Sequence, residues 1–318
     1  MGIMRILFAG TPDVAATCLS ALADSSHEVV GVLTQPDARG KRGKSLVPSP
    51  VAVLAQELGI PSFKPADARS AETREWIRES GAEVAAVVAY GQILERPVLE
   101  SLPGGFFNLH FSLLPALRGA APVQRAIEQG LQETGLSVFK LDEGLDTGAL
   151  ARQEPHSIAP LATAGELLED MAEHGARVLV EVMDELGRGT LTLTPQEEEG
   201  ASYARKLRAD EARIYPARPA REVAAHIRAF APNPGAFTSV RGSRLKVLGV
   251  GNTEAPEGMS LAPGEFGVTK KHVFLGTATE PLELTLVGPA GKKHMAAADW
   301  ARGVRLETGE RMEEESAS

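Results

Sequence analysis

Up to about residue 190, short apolar runs alternate with stretches whose apolar residues recur at helical spacing. Continuous apolar runs are typical of strands buried on both faces, and amphipathic stretches between them are typical of covering helices. The helices are predicted through about Ala23 and near 50–58, 122–129 and 163–187. The strands are predicted in MRILFAG, EVVGVLT, EVAAVVAY, FFNLHF and LSVFKL. This order predicts an α/β fold with a doubly wound, mostly parallel sheet.

After about residue 190 the pattern changes to a polar, proline-containing stretch that is typical of a linker. One helix in AREVAAHIRAF is followed by short apolar runs separated by turn residues, in GAFTSV, SRLKVLGV, HVFLGT and PLELTLVG. Short strands at this spacing predict a small β-barrel. We expect an α/β domain at 1–189, a linker at 190–208, a barrel domain at 209–306 and an acidic flexible tail at 307–318.

Composition narrows the class of protein. The 318 residues are 43% hydrophobic and 24% charged, which is typical of a globular protein, and no run approaches the roughly 20 apolar residues of a membrane helix. The apolar run before Gly10 is short and lacks a cleavage site, so it predicts a first strand and not a signal peptide. Cys18 is the single cysteine, which excludes an intrachain disulfide and a cysteine-rich metal site. We expect a cytoplasmic protein.

The charge is distributed unevenly along the chain. Residues 1–204 carry 16 Lys and Arg against 28 Asp and Glu, whereas residues 205–306 carry 16 against 9. A basic segment on an acidic chain favours an anionic partner such as nucleic acid, and an ordinary solvated surface is an equally open interpretation.

Several common catalytic motifs are missing. FAGTPDVA, after the first predicted strand, has one glycine of the dinucleotide-binding fingerprint, and no acidic residue ends the second strand. A nicotinamide dehydrogenase is therefore disfavoured. The sequence has no H-E-x-x-H, Walker lysine loop or G-x-S-x-G motif, which removes the usual support for metal, nucleotide-hydrolysis and serine-nucleophile chemistry.

Two polar residues interrupt the apolar run FFNLHF. Asn108 and His110, and with them Ser112, share one face of a strand because side chains alternate. Pro115 and Gly119 then end the strand, so this polar row lies at the carboxyl edge of the sheet, where open α/β sheets bind ligands. A buried histidine satisfied by a neighbouring amide is the alternative, although each unsatisfied polar group would cost about 1–3 kcal/mol.

A second polar group follows the next predicted strand, in KLDEGLDTGALA. Asp142, Glu143 and Asp146 lie among glycines that allow a tight turn. An acidic turn is common, but a carboxylate on a neighbouring loop is also what fixes the tautomer of a catalytic histidine. Asn, His and Asp without a Ser or Cys nucleophile favour direct acyl transfer, in which donors stabilise an oxyanion.

At these residues the chain resembles the folate-dependent formyltransferases. The motif N-x-H-x-S-L-L-P-x-x-R-G spans 108–119 and G-L-D-T-G spans 144–148, and both are highly specific to that group. The resemblance extends over nearly the whole length, through FAGTPDVA, TQPDARGKRGKSLVPSPV, VAYGQIL, GAAPVQRAIEQG, YARKLRADEARI and IRAFAPNPGAFT. It implies a Rossmann-like catalytic domain at 1–189 and an OB-like, tRNA-binding domain at 209–306.

The resemblance also implies a reaction. The formyl group of 10-formyltetrahydrofolate, a co-substrate, would pass to the α-amino group of methionine on initiator tRNA. The reaction would need no metal, and the protein would act as a monomer. Asn108 would hydrogen-bond the formyl oxygen as it becomes an oxyanion. His110, cationic or proton-donating, would stabilise the same charge, and Asp146 would orient His110 and relay a proton through water to the leaving nitrogen.

Two further sets of residues are implied. The expected folate-contacting residues are Tyr90, Gly91, Ile93, Leu94, Ser112, Leu113, Leu114, Pro115 and Asp142. The expected tRNA-binding residues are Arg39, Lys41, Arg42 and Lys44, in the loop QPDARGKRGKSLVPSP, and Lys206. A basic loop is more often merely solvated, but beside a site that receives a tRNA end it is a phosphate clamp. Tyr215-Pro216 departs from the Asp-Trp that often follows EARI in the family.

Two alternatives stay open at this point. A related formyltransferase acting on a sugar-nucleotide or purine-precursor amine would keep the three site residues and change the acceptor. The relatives that act on glycinamide ribonucleotide lack both the basic loop and a C-terminal domain, which disfavours that acceptor. A non-enzymatic RNA-binding protein would use the barrel and leave the polar residues without a role, and the intact spacing of all three argues against it.

Overall fold

The computed structural model describes residues 2–39 and 45–313. Its described residues divide into two compact units, each made of discontinuous segments. The first unit comprises the described residues of Met1–Gly119, Thr134–His156 and Leu168–Ala204, and the second comprises those of Ala120–Glu133, Ser157–Leu167 and Arg205–Ser318. The domain boundaries at residues 189 and 208 stay predictions, since they assume two continuous segments.

The five helices predicted from the sequence begin and end close to the predicted positions, and the described residues contain three further helices. In chain order, the helices are α1 (Asp13–Ala23), α2 (Pro50–Glu57), α3 (Ala71–Ser80), α4 (Arg96–Leu99), α5 (Pro122–Glu128), α6 (Ala164–Arg188), α7 (Ala220–Phe230) and α8 (Ala297–Val304). Serine side chains cap two of them, because Ser49 and Ser70 accept from the backbone N–H groups of Ala52 and Thr73. Within the described ranges, no helix is long and apolar enough to cross a membrane.

A seven-stranded, mostly parallel sheet forms the centre of the first unit. The strands from the first two thirds of the chain are β1 (Arg5–Gly10), β2 (Glu28–Leu33), β3 (Ala38–Arg39), β4 (Leu46–Val47), β5 (Ser62–Phe63), β6 (Val84–Val88), β7 (Phe106–His110), β8 (Glu133–Lys140) and β9 (Leu150–Ser157). The sheet order is β5-β2-β1-β6-β7-β8-β9, and β3 pairs separately with β4. The pairs from β5 to β7 are parallel, whereas β8 runs antiparallel to β7. The carboxyl ends of β1, β2, β6 and β7 therefore share one edge.

The two faces of β7 have different environments. Leu109 packs against α6, where a Cβ on Gly175 would come within 2.7 Å of it. Phe106 lies on the other face, in a buried cluster with Val87 of β6. Because Asn108 and His110 alternate with Leu109, they share the face of Phe106, as the sequence pattern predicts.

A curled antiparallel sheet forms the centre of the second unit. Its strands are β10 (Ala236–Val240), β11 (Ser243–Val250), β12 (Phe266–Val268), β13 (Val273–Leu275), β14 (Leu282–Pro289) and β15 (Met295–Ala296). The order is β10-β11-β14-β13-β12, with β15 on β14. The mixed, Rossmann-like sheet and this curled sheet confirm the predicted fold class.

Residues near the end of the described chain join the two outer strands of the second sheet. Glu313 bridges to Ser239 of β10, and Arg311 bridges to Glu265 beside β12. Met312 is buried, and its N–H donates to the carbonyl of Gly264 at 2.9 Å. Part of the segment expected to be a flexible tail thus contributes to this sheet, and residues 314–318 lie outside the described residues.

Candidate active site

His110 is the last residue of β7 and is buried. Its Nε2 lies 2.9 Å from the carbonyl oxygen of Leu117, in the loop that follows the strand. Its Nδ1 lies 3.8 Å from Oδ2 of Asp146, which is an ion-pair distance and too long for a direct hydrogen bond. The structure therefore brings together the histidine and the aspartate that the sequence predicts as partners.

The environment of His110 fixes its protonation. A carbonyl oxygen only accepts, so Nε2 carries the hydrogen, and in a neutral ring Nδ1 has a free lone pair on the side of Asp146. Burial lowers the pKa of His110, and the Asp146 carboxylate and the Leu117 carbonyl raise it in part. The resting ring is neutral at pH 7, and a proton that arrives at Nδ1 faces a carboxylate.

Asp146 is held in an uncommon backbone conformation. Its φ is 55°, in the left-handed region that few residues other than glycine adopt. The backbone N–H of Gly119 donates to its Oδ2 at 2.7 Å. Gly119 itself has φ of 113°, and a Cβ there would lie 2.9 Å from the carbonyl oxygen of Ala204. The glycine is thus required for the contact that holds the carboxylate.

Asn108 lies two residues before His110 on the same face and is half-buried. Its neighbours across the sheet are Val87 of β6 and Phe139 of β8. Its side-chain amide makes no hydrogen bond to any residue within 2–39 and 45–313. The amide is therefore available to donate to a bound carbonyl or oxyanion, which is the role predicted for it.

The loop after β7 contains four of the expected folate-contacting residues, and its backbone is closely held. Ser112 is buried and donates to the carbonyl of Ala116 at 2.6 Å. Ser137 of β8 donates to the carbonyl of Ser112 and accepts from the N–H of Leu114. Leu113 and Pro115 are half-buried. These contacts fix the loop beside His110, and its contact with folate stays a prediction.

The loop after β6 contains four more of that set. Tyr90 is buried, and its carbonyl accepts from Thr11 Oγ1 at 2.8 Å and from Gln35 Nε2 at 3.2 Å. Its hydroxyl has no hydrogen-bond partner among the described residues, and burial raises the pKa of Tyr90 to about 12. Gly91 has φ of 84°, and Ile93 is 79% exposed whereas Leu94 is buried. An unpaired buried hydroxyl is unusual for a purely structural loop.

Asp142, the last expected folate-contacting residue, is exposed and closes the turn before Asp146. Its Oδ1 accepts from the N–H of Gly144 at 2.9 Å and from Thr147 Oγ1 at 2.8 Å. The side chain thus shapes the loop that presents Asp146, and its contact with folate stays a prediction.

The structure describes part of the expected tRNA-binding set. Arg39 lies exposed on β3, where it pairs with the exposed Leu46 of β4. Lys206, in the second unit, is also exposed. Lys41, Arg42 and Lys44 lie outside the described residues. Tyr215, where the sequence departs from the family pattern, lies 47% exposed beside the guanidinium of Arg218.

A basic groove in the second unit is not apparent from the sequence. The groove has a volume of about 230 Å³ and is lined by Arg244, Lys246, Lys292, His294 and the backbone of Gly288 and Gly291. Arg244 stacks on the ring of Phe237 at 3.6 Å, and Lys246 donates to the carbonyl of Pro234. The cations at 244, 246 and 292 form no ion pair with a described carboxylate. Such a groove favours an anion.

The sequence also gave no indication of Gln196 and Ser202, which contact both site loops. Gln196 Nε2 donates to the carbonyls of Asp146 and Gly148, both at 2.8 Å. Ser202 Oγ accepts from the N–H of Leu117 at 2.9 Å. Both residues lie in a polar segment with no periodicity, so no local signal could have identified them.

The arrangement is suited to a particular chemistry. A free amide donor and a neutral imidazole backed by a carboxylate can stabilise an oxyanion and accept a proton from an attacking amine. Among the described residues, no group of three or more His, Cys, Asp or Glu is placed to hold a metal ion. The fold and the site together define an acyl-group transferase with a Rossmann-like domain.

Comparison with known proteins specifies the family. The model of the formyl transferase family matches residues 4–183, and that of the formyl transferase C-terminal domain matches residues 206–305. The chain belongs to the formyl transferase family. This confirms the resemblance seen in the motifs at 108–119 and 144–148.

Relatives and solved structures agree with this assignment. Proteins named methionyl-tRNA formyltransferase from Nocardioides sp. and Corynebacterium glutamicum are 47% and 48% identical to this chain, over 97% and 96% of it and 98% of each relative. The structure of methionyl-tRNA formyltransferase from Clostridium thermocellum matches with a TM-score of 0.57 at 17% identity, over 79% of this chain and 94% of that one. An N-formyltransferase from Helicobacter canadensis matches with a TM-score of 0.66 at 18% identity, over 89% and 99%. The two structures show a shared fold.

Proposed function

We propose that this protein transfers the formyl group of 10-formyltetrahydrofolate to the α-amino group of methionine on initiator tRNA, and so supports translation initiation. The observation that carries the proposal is the identity of about 47% to methionyl-tRNA formyltransferases across both domains. The grouping of Asn108, His110 and Asp146 at one sheet edge is the site expected for such a transfer.

The proposed role of each of the three residues is supported by its surroundings. The amine nitrogen attacks the formyl carbon, the carbonyl oxygen becomes an oxyanion, and the free amide of Asn108 donates to it. The proton that leaves the amine goes to Nδ1 of His110, directly or through water, and Asp146 stabilises the imidazolium. The bond from the formyl carbon to the folate nitrogen then breaks, and that nitrogen takes up the proton.

The neutral state of His110 refines its expected role. A ring that donates its one hydrogen to Leu117 has none left for the oxyanion, so His110 acts first as a proton acceptor. Once protonated it is a cation beside the reacting carbon and stabilises the oxyanion through its charge. The contribution of His110 to oxyanion stabilisation thus follows proton transfer and does not precede it.

We propose that cations of both units contact the tRNA. Arg39 and the predicted loop residues Lys41, Arg42 and Lys44 follow β2, whose carboxyl end is at the site edge. In the second unit, Lys206 and the basic groove lined by Arg244, Lys246 and Lys292 supply charges without carboxylate partners. Unpaired cations favour phosphates, because binding releases the counterions condensed on the nucleic acid. We take 1–189 as the catalytic domain and 209–306 as the tRNA-binding domain, in a cytoplasmic monomer.

An acceptor competition assay tests the proposal. Purified protein is supplied with 10-formyltetrahydrofolate and equal concentrations of methionyl initiator tRNA, glycinamide ribonucleotide and an amino-sugar nucleotide. We expect formylated methionyl-tRNA as the main product, with a rate that falls steeply as salt is added. A formylated sugar nucleotide or ribonucleotide as the main product would refute the acceptor, and no formylated product would refute the activity.

Two variants test the site in the same assay. We expect Asn108→Ala and His110→Ala each to lower kcat by about 100-fold or more, as for the loss of an oxyanion donor or of an acid-base group. Glu143→Gln, an exposed change that removes a carboxylate from the loop of Asp146, is the matched control and should retain the wild-type rate. Activity near wild type in either alanine variant would remove that residue from the mechanism.

A further inference from the structure

The side chain of Gln196 joins a buried arginine to the loop that presents Asp146. Its Nε2 donates to the carbonyls of Asp146 and Gly148, both at 2.8 Å. Its Oε1 accepts from Arg118 at 2.9 Å from Nη2 and 3.3 Å from Nε. Both hydrogens and both lone pairs of the amide are therefore used, and no other side chain supplies this combination in the same shape.

Arg118 is the largest fully buried side chain among the described residues, and only 1% of it is exposed. A buried guanidinium is costly unless its N–H groups are paired. Its only described carboxylate neighbour, Glu198, lies 3.5 Å away and is 81% exposed, so this ion pair is weak. The oxygen of Gln196 is the close acceptor, and Arg118 in turn fixes the orientation of that amide.

Asp146 is consequently held at two points. Gln196 binds its carbonyl, and Gly119, the residue after Arg118, binds its carboxylate. The left-handed φ of 55° costs roughly 1 kcal/mol for a residue with a Cβ, so the loop adopts it because surrounding contacts impose it. The Gln196 contact is one that no residue of the loop itself supplies.

Gln196 lies in residues 194–204, which we name the brace segment. It falls within the predicted linker, yet its backbone is paired near both ends with other segments of the first unit. Thr194 exchanges two backbone hydrogen bonds with Leu150, at 2.7 and 2.9 Å. The carbonyl of Ser202 accepts from the backbone N–H of Arg118 at 2.8 Å, and the N–H of Ala204 donates to the carbonyl of Arg118 at 2.7 Å. The brace segment thus contacts the loop whose Leu117 carbonyl accepts the hydrogen bond from His110, and it also contacts the loop that presents Asp146.

We propose that Gln196, oriented by Arg118, is a positioning residue for formyl transfer: it sets the backbone of Asp146 so that the carboxylate faces Nδ1 of His110. The inference rests on the proposed function through the role given to Asp146. It makes a residue of the predicted linker part of the catalytic apparatus.

Two substitutions separate the contacts of the Gln196 amide oxygen from those of its amide nitrogen. Gln196→Glu keeps an oxygen for Arg118 and loses both donors to the Asp146 loop, whereas Gln196→Leu loses both sides. We expect both variants to lower kcat about 10- to 100-fold, as for a displacement of a reacting group by about 1 Å, with each KM within about twofold of wild type. Glu197→Gln is the matched control, since Glu197 is exposed and has no described partner.

Histidine titration by nitrogen NMR supplies a readout that needs no acceptor. The Asp146 carboxylate raises the pKa of His110, so displacing it should lower that pKa in Gln196→Leu, which adds no charge, and leave it unchanged in Glu197→Gln. The resonance is assigned by its loss in His110→Gln. A purely structural role for Gln196 would lower Tm and leave the His110 titration unchanged.

The outcomes distinguish the inference from the proposed function. An unchanged His110 titration in Gln196→Leu, or rates equal to wild type in both Gln196 variants, would overturn the positioning role even if the wild-type protein formylates methionyl-tRNA. A shifted titration would support it even if the preferred acceptor proved to be another amine. Failure of the proposed function would instead appear as a wild-type protein that makes no formylated methionyl-tRNA.

Discussion

Replacing Asp146 by Asn isolates the charge of the carboxylate from its shape. The asparagine oxygen can still accept the N–H of Gly119, which the aspartate accepts at 2.7 Å, so the loop should keep its conformation. What disappears is the attraction between the carboxylate and the imidazolium that forms at His110. Loss of activity should therefore report electrostatics and not unfolding.

The distance sets the magnitude of the effect. Oδ2 lies 3.8 Å from Nδ1, and two unit charges at about 4 Å attract by about 4 kcal/mol at an effective dielectric constant of about 20. If the full charge on His110 is present in the transition state, the rate should fall about 1,000-fold, since each 1.4 kcal/mol is about tenfold. A partial charge would give a proportionally smaller loss.

Single-turnover formylation of methionyl-tRNA, with both substrates saturating, measures the chemical step. We expect Asp146→Asn to slow it by 100- to 1,000-fold, on the order of the loss calculated above. Tm should stay within about 2 °C of wild type, because the exchange keeps the size of the side chain and its hydrogen bond from Gly119. A rate within threefold of wild type at about equal Tm would refute the view that Asp146 stabilises a positive His110.

Three further results are expected. In denaturant unfolding, Tyr90→Phe should be as stable as the ligand-free wild type or up to about 1 kcal/mol more stable, because the hydroxyl is buried without a described partner. A clear loss of stability would mean that the hydroxyl is paired. The folded pKa of His110 is lowered below its ordinary value of 6.5 by burial, so the unfolded chain takes up the proton first as pH falls. Stability from the neutral ring is therefore full above about pH 6.5 and declines below it, and Tm measured from pH 7.5 to 5.5 should fall less steeply in His110→Gln; equal slopes would contradict the lowered pKa. The double variant Arg244→Gln and Lys292→Gln should raise KM for methionyl-tRNA and leave KM for folate unchanged. The slope of log affinity for tRNA against log salt concentration should become smaller by about 1 for each cation removed. Equal changes in both KM values would exclude a phosphate contact in the groove.

Strong periodicity made much of the fold predictable. The helix predicted in AREVAAHIRAF is α7, Ala220–Phe230, whose buried residues recur at helical spacing. The outer strand β9 escaped prediction because its sequence, LARQEPHS, is polar and lies half-exposed at the end of the sheet. Helix α3 escaped for a similar reason, since it buries little more than Thr73 and Ile77 among charged residues.

The candidate site was predictable only where its residues lie in compact motifs. Asn108 and His110 are two residues apart, and alternation in a strand places them on one face without further information. Asp146 could be paired with them through the chemistry of a histidine and its carboxylate partner and through the family motif, and not through strand direction, because β8 runs antiparallel to β7. Gln196 could not be found in this way, because its contacts depend on where a polar segment lies in the folded protein. Nothing in the residues beside it distinguishes it from a solvated linker.

The contacts of residues 310–313 with both outer strands of the second sheet affect how the protein behaves when shortened. The C-terminal family match ends at residue 305, which makes that position an obvious place to end the chain. A chain cut there would lose the N–H of Glu313 that donates to Ser239 and the carbonyl of Glu310 that accepts from Phe266. Two strand edges would be left with unsatisfied backbone groups, and such edges invite pairing with another molecule. Self-association of the shortened protein would then reflect exposed sheet edges and not a natural dimer interface.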